Sequence, residues 1–437
     1  MPETAEPDFE VIVVGAGIAG CVTAYQLARQ GRSVLLIERG ESPGSKNLSG
    51  GVLYSRGIQK VFPEFLDEAP VERRITRNYI SFLNAESSVA IDYKDTRLAD
   101  PVNAVTVLRA KLDPWLAEKC EEAGVIIMPG VRVDRVLTED GAAGKRVIGV
   151  RADADELRAR VVVAADGVNS FIAKDVGLRK KDPLNHLAVG VKSVVSLPRE
   201  TIEARFNLTG DEGAAVAAVG DCTEGVGGGG FLYTNTDSIS VGVVVRLDDL
   251  TAKKKVVTDI FDHFLEHRFI APYLEGGELA EYGCHLVAEG GMDMIGEMAM
   301  DGMVVVGDAA GLTLNTGLTV RGMDLAVASA AAAAEGILSA LERSDTSKAG
   351  LAGYRERFFA SYAGKDMKTY ARAPAFLELE RMYQHYGELF ANVLHGAFDL
   401  DTQPRRHLLR VARRALVQSP LKMRQLVSDG IAGARAL

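Results

Sequence analysis

Cysteine is scarce in this chain: four in 437 residues (Cys21, Cys120, Cys222 and Cys284), none of them in a C-x-x-C pair. That spacing argues against a zinc module, an iron–sulfur cluster or a disulfide scaffold. No uncharged apolar run approaches the length that a bilayer-crossing helix needs, and the segment Met1 to Glu10 carries four acids and no basic side chain. Neither a membrane-spanning helix nor a secretory leader is therefore expected, and the predicted setting is the reducing cytoplasm. Seven histidines supply one i,i+4 pair, His263 and His267, without a third ligand at suitable spacing, and no credible nucleophile arrangement occurs. No metal centre and no activated nucleophile is predicted. Acids outnumber bases, 59 to 50, for a net charge of −9, which disfavours nucleic acid as a partner. With 47% hydrophobic residues and no internal repeat, the chain has the makings of a large folded enzyme.

Residues 9–14 form a β-branched run that breaks at Gly15, the pattern of a buried parallel strand. Residues 19–30 carry helical spacing and stop at Gly31, and 33–37 is a second apolar strand ending in Glu38. The chain as far as Glu38 thus predicts a βαβ unit. Further on, 109–123 reads as a helix, 125–128 as a strand, 131–137 with 147–151 as an antiparallel ribbon, and 160–165 as another buried strand. Between 185 and 284 alternating strands take over, with one helix near 256–267. The α/β pattern resumes at 303–306 and runs into an alanine-rich helix from about 321 to 341. Its Asp324, Glu335 and small side chains point to a close-packed buried helix, not a membrane span. Beyond 346 the chain is helical, with breaks expected at Pro374, Pro404 and Pro420. The fold class predicted is α/β: a discontinuous Rossmann-type dinucleotide domain (1–75, 101–180 and 285–345), an inserted antiparallel-sheet domain (76–100 and 181–284) that faces the substrate or acceptor, and a helical C-terminal region (346–437).

Gly15-Ala16-Gly17-Ile18-Ala19-Gly20 matches G-x-G-x-x-G with a strand before it and a helix after it. The first glycine turns the chain, the second admits a pyrophosphate to the backbone, and the third packs helix on strand. Glu38, at the end of the second strand, is placed to accept the hydroxyls of an adenosine ribose, with Arg39 beside it. The fingerprint serves FAD and NAD alike. Two distant strand ends favour FAD: Asp166-Gly167 and Gly307-Asp308 each close a buried strand, and a cofactor touched from sites so far apart should be long and enclosed. Asp308 is the candidate partner of a ribityl hydroxyl. For each aspartate alone the plainer alternative is a turn or helix cap. The glycine run 225–230 lacks a following helix and is read as a loop that lets the inserted sheet approach the flavin, with a hairpin as the alternative.

Gly15 to Gly20, Glu38, Asp166-Gly167 and Gly307-Asp308 together resemble the flavoprotein superfamily of aromatic hydroxylases and geranylgeranyl reductases. The segments 41–54 (ESPGSKNLSGGVLY), 229–235 (GGFLYTN), Asn315-Thr316-Gly317 and 321–324 (RGMD) narrow the resemblance to the FixC family, related to electron-transfer-flavoprotein:quinone oxidoreductases. The resemblance implies FAD. It places Ser49, Gly50 and Gly51 along the isoalloxazine with Lys46 nearby, and Thr316-Gly317 on its pyrimidine side at the N-terminus of the alanine helix, where a helix dipole steadies negative charge. Arg109 matches the superfamily arginine at the cofactor's centre, and Val133 a backbone contact to adenine. For Arg109 alone the plainer alternative is a surface helix charge.

Related quinone oxidoreductases carry four clustered cysteines near the C-terminus, whereas this chain has none beyond Cys284. The resemblance therefore implies a separate ferredoxin-like iron–sulfur protein, with a two-subunit electron-transfer flavoprotein as electron donor and a quinone as a candidate acceptor. Residues 404–437 hold eight Lys/Arg and one acid, Asp429. On a helical projection Leu408, Leu409, Val411, Ala412, Ala415 and Leu416 share one face opposite Arg406, Arg410, Arg413 and Arg414. A basic amphipathic helix of this kind suits an acidic ferredoxin, an anionic lipid surface at the cytoplasmic membrane face, or packing on its own domain. The expected activity is FAD-dependent electron transfer with the chemistry on the flavin and no catalytic side chain. The rivals are a reductase or monooxygenase acting directly on a prenyl lipid or aromatic molecule, and a flavin-stabilised structural subunit.

Overall fold

A β-branched run buried on both faces must lie inside a sheet covered by helices. The strand Phe9–Val14 meets that demand, with Val11 to Val14 buried. The computed structural model describes residues 6–46, 50–141 and 144–437. Phe9–Val14 pairs in parallel with Val34–Ile37 on one side and with the second half of Asp155–Ala164 on the other, so that Val13 stands opposite both Leu36 and Val163. Ile126–Met128 and Met303–Val305 extend the sheet at either end, and the short strand Ala299–Met300 lies antiparallel at one edge. Ile18–Ala28 packs against both Arg109–Glu122 and Met323–Glu342. By length and composition Met323–Glu342 could cross a membrane, yet most of its residues are buried, as its small side chains allow.

The second sheet runs in the order Glu278–Ala288, Leu187–Ser196, Ser238–Arg246, Gly228–Thr234, Glu212–Gly220, Val71–Asn84, Ala104–Val107, Gly51–Tyr54, with Ser87–Lys94 also paired to Val71–Asn84. It departs from the sequence expectation in three ways. The sheet is mixed, because Glu212–Gly220 runs parallel to Val71–Asn84 while the other pairs are antiparallel. A long crossover through the first sheet brings the chain back in the same direction, and hydrophobic alternation carries no sign of strand direction. Gly51–Tyr54 and Ala104–Val107, expected in the dinucleotide unit, pair in the second sheet instead, and Val71–Asn84 straddles the boundary drawn at residue 75. Finally, Gly228 to Gly230 open a strand and are not a loop. Gly230 lies under the ring of Phe264, whose helix Val257–Glu266 covers this sheet.

One strand does two jobs. Residues 155–158 pair antiparallel with 149–152 in the ribbon, and 159–164 then join the parallel sheet. Its polar first half hides that extension from a reading of apolar runs.

Of the three prolines expected to break the C-terminal helices, Pro374 lies in the first turn of Ala373–Leu377, where a missing N–H costs little, and Pro404 and Pro420 fall between helices. The last helix, Met423–Ala436, is pinned through Asp429, which accepts from the Arg381 guanidinium and, at 2.7 Å, from the Tyr386 hydroxyl. The basic helix Leu408–Gln418 packs through Val411, Ala412, Ala415 and Leu416 only; Leu408 and Leu409, expected on the same face, are 62% and 85% exposed. A helical projection draws too wide a buried arc here.

Arg73, 2% exposed, is the largest fully buried side chain among the described residues. Its Nε donates to Asn235 O (2.6 Å), Nη1 to Gly210 O and Glu212 O, and Nη2 to Thr236 O and Glu203 Oε1. One guanidinium thus closes the loops at one end of the second sheet, because buried carbonyls need donors. Arg73→Met keeps the volume and strands those acceptors. It is expected to lower stability by about 3 kcal/mol in urea unfolding, with m unchanged.

Candidate functional site

The turn after Phe9–Val14 is built for close approach. Gly15 has φ +104°, and a Cβ on Gly20 would lie 1.9 Å from Gly15 O, so the helix beginning at Ile18 can start only with glycine there. Over Gly17, the residue capping that helix, lies the Arg109 guanidinium, with Nη2 3.3 Å from where a Cβ would stand. Arg109 is held by a bidentate pair to Asp113, Nε to Oδ1 at 2.6 Å and Nη2 to Oδ2 at 2.7 Å, and the Asp113 side chain is 0% exposed. Arg109 is therefore a site cation and not a surface charge. Asp113 escaped the sequence reading, although its i,i+4 spacing from Arg109 was a signal.

Glu38 shapes the same turn: Oε2 accepts from Ala16 N at 2.9 Å and Oε1 from Gly40 N at 2.7 Å. Each oxygen keeps a lone pair for another donor. Arg39 and Lys46 stand exposed on the cavity rim, and Val133 opens the ribbon strand on its wall. Asp166 does cap a helix, Oδ2 accepting from Ile172 N at 3.0 Å, which is the plainer alternative. Its Oδ1 is nevertheless buried without a partner among the described residues, and burial pushes the Asp166 pKa up. Gly167, beside it, has φ +75° and open space where a Cβ would be.

Gly307 N donates to Ser329 Oγ at 2.9 Å, which ties this turn to the alanine helix. Asp308 faces the cavity. Burial raises its pKa while Arg109 and Arg179 pull it back down. Arg179, which the sequence reading also missed, donates Nη1 to both Asp308 O and Ala309 O at 2.9 Å and so fixes the turn.

Thr316 and Gly317 do not sit at the N-terminus of the alanine helix as expected. They form the tip of a hairpin between Leu314–Asn315 and Val320–Arg321, and the helix starts at Met323. Strands this short leave no periodic trace in a sequence. Arg321 fastens the hairpin to the helix through Asp324 (2.8 Å) and to the helix Tyr362–Thr369 through Asp366 (2.6 Å). Gly50, with φ +82°, abuts Ser240 of the second sheet; Gly51 touches Met323, and Ser49 lies outside the described residues.

All the described candidate residues except Gly20 and Gly307, which pack behind the wall, line a single cavity of about 1130 Å³ between the two sheets. That exceeds the ~300–1,000 Å³ of an ordinary ligand pocket. Lys192, unread in the sequence, also faces it; burial and Arg109 lower its pKa to about 8. Helix N–H groups beside a guanidinium, an orphaned carboxylate oxygen and a glycine-lined floor form a cradle that fits a dinucleotide.

A family model described as FAD binding domain matches residues 8–220. The chain is 44% identical over 437 residues to a protein of Escherichia coli K12 named "probable electron transfer flavoprotein-quinone oxidoreductase YdiS", covering 99% of this chain and 100% of that one. It is 42% identical over 438 residues to protein FixC of Salmonella typhimurium, with the same coverage. The chain belongs to the FixC family. It is a FAD-dependent oxidoreductase of electron transfer. Among solved structures it is similar to a geranylgeranyl bacteriochlorophyll reductase-like protein of Thermoplasma acidophilum, with a TM-score of 0.71, 19% identity and coverage of 96% and 98% of the two chains. That likeness concerns the fold. In this FixC-family chain, Asp308→Ala is expected to lower the flavin-to-protein ratio after purification, read from visible absorbance, while apoprotein unfolding stays within about 1 kcal/mol. Full flavin occupancy in the variant would remove Asp308 from the site.

Proposed function

We propose that this protein takes electrons from a two-subunit electron-transfer flavoprotein into its FAD and passes them to a quinone, directly or through a separate ferredoxin-like iron–sulfur protein. The observation that carries this reading is the single cavity: one dinucleotide fingerprint opens into it, and its walls continue past the fingerprint into an apolar region lined by Ile80, Phe82, Phe231, Tyr233, Val244 and Phe376. The names of the relatives, electron transfer flavoprotein-quinone oxidoreductase among them, point the same way. Gly15 to Gly20 would receive the pyrophosphate, Glu38 the adenosine ribose, Val133 the adenine, Arg109 the cofactor's centre and Asp308 the ribityl chain. Gly50-Gly51 and Thr316-Gly317 would border the ring. Bound there, FAD supplies reversible redox chemistry; the chain's own part is to hold it, exclude water and set local charge. The cation of Arg109 and the partly titrated Lys192 both favour added negative charge.

Anaerobic mixing with reduced electron-transfer flavoprotein is expected to bleach the FAD absorbance, and a short-chain quinone to restore it. Failure of that donor, together with NAD(P)H oxidation dependent on a prenyl lipid, would support direct reduction of a substrate in the apolar region.

The basic tail completes the proposal. Leu409 and Val417, 85% and 78% exposed, stand among Arg410, Arg413 and Arg414. An apolar face interleaved with cations suits the anionic headgroups of a lipid surface. Co-sedimentation with phosphatidylglycerol vesicles is expected, weakening as salt rises and falling at least about tenfold in Leu409→Glu/Val417→Glu. Equal sedimentation of the variant would exclude the tail as the lipid contact.

A further inference from the structure

The wall built by the second sheet and the C-terminal helices carries polar groups that the dinucleotide contacts leave unused. Tyr383, 5% exposed, presents a buried hydroxyl without a hydrogen-bond partner among the described residues. Beside it Arg246 gives Nε to Asp248 Oδ1 at 3.2 Å but leaves Nη1 buried and unpaired among the described residues. Both approach Gly227 so closely that a Cβ there would stand 3.1 Å from Tyr383 Oη and 3.2 Å from Arg246 Cζ. Glu289 shares the cavity wall. It accepts from Asn315 Nδ2 at 3.2 Å, and Asn315 Oδ1 in turn accepts from Gly317 N at 2.8 Å, so this carboxyl stands one side chain behind the hairpin tip. Arg246 is the cation felt by both Glu289 and Tyr383.

Two unsatisfied donors and a carboxyl at the edge of an apolar cavity are chemically complementary to a carbonyl oxygen on an apolar molecule. We propose that Arg246 and Tyr383 anchor a carbonyl oxygen of a quinone-class acceptor and that Glu289 is the catalytic residue that protonates it. The inference rests on the acceptor reading above and adds the residues that read the head group. The balance is simple: the quinone takes two electrons from reduced flavin and two protons, one from Glu289 and one from water, to become the hydroquinone, and solvent at the cavity mouth reprotonates Glu289. The groups facing Glu289 agree with a proton-holding role. Asn315 comes from the hairpin and Arg246 from the second sheet. His186, from the turn before Leu187–Ser196, packs on Gly290 and takes the Glu289 N–H on its backbone oxygen. Burial raises the Glu289 pKa to about 7 against the opposing pull of Asn315 and Arg246. Tyr383, with its pKa pushed up to about 12, remains a donor throughout.

The test uses the FAD-loaded protein, a decyl-chain benzoquinone as probe, and two near-isosteric variants. Calorimetric affinity for the quinone should fall about five- to tenfold in Tyr383→Phe, since one hydrogen bond is lost without a cavity. Glu289→Gln keeps the Asn315 contact, so affinity should change less than about threefold. Its quinone-reduction rate should fall about 100-fold. The wild-type rate should decline as pH rises through about 7. The variant's rate should be flat there, and difference infrared spectra should lose the protonated-carboxyl band. Unchanged affinity in Tyr383→Phe and an unchanged pH profile in Glu289→Gln would overturn the assignment of these residues while leaving the electron-transfer reading intact. A wild-type protein that is reduced by its flavoprotein donor yet neither binds nor reduces the quinone would overturn both.

Discussion

The site hangs on the Arg109–Asp113 pair. A guanidinium inside a cavity wall is costly unless its charge and its donors are met, and the fully buried carboxylate one helical turn away meets both. The pair fixes the guanidinium over the helix N-terminus at Gly17. From there its field reaches Asp308, Lys192 and His285, groups contributed by both sheets. It holds the Asp308 carboxyl nearer its charged form and drives the two bases toward their neutral forms. One ion pair thus sets the electrostatic tone of a cavity that two sheets and a hairpin share.

How much of this a sequence can disclose depends on range. The fingerprint turn was legible because its meaning is local: strand, three glycines, helix and acid all fall between Phe9 and Glu38, and each is required by sterics within that stretch. The alanine helix was legible for a similar reason. Asp308 was legible as a strand end, although the arginine that grips its turn, Arg179, was not; as the first of three consecutive basic residues it reads as part of a solvated charge run. The second sheet was the hardest. Nothing in residues 51–54 or 104–107 says which sheet they will join, because the deciding contacts, such as Gly50 against Ser240, come from far along the chain. Strand direction was equally hidden, and so was the hairpin that separates Thr316-Gly317 from the alanine helix.

The unread polar residues share a feature. Lys192, Arg246 and Glu289 each lie in or just beyond a strand whose other residues are mostly apolar or small. A charged side chain on a largely apolar, partly buried wall is destabilising by itself, so its presence asks for a role. Alternation alone would put Lys192 on the same face as Ala188 and Gly190, and that face turns out to be a cavity wall.

The C-terminal helices bind the cavity to the outer surface of the molecule. Leu437, Phe376 and Met382 line the cavity, and the last helix is held in place by Asp429 through Arg381 and Tyr386. Leu408–Gln418 packs on Tyr386–Phe398 in the same region, so the exposed leucines among arginines and the cavity wall belong to one packed unit. That arrangement has a physical consequence for an apolar ligand. A molecule that partitions into lipid gains little by crossing bulk water to reach an enzyme, since the transfer forfeits roughly 25 cal/mol for every Å² of apolar surface it exposes. If the basic helix rests on a lipid surface, as proposed, the cavity would lie within the same packed region as that contact. The proposed ligand's tail would then stay among apolar side chains while its polar end reaches the donors inside. On the proposed lipid contact, these helices would govern which acceptors arrive, and the basic outer face and the apolar cavity wall would serve one delivery route.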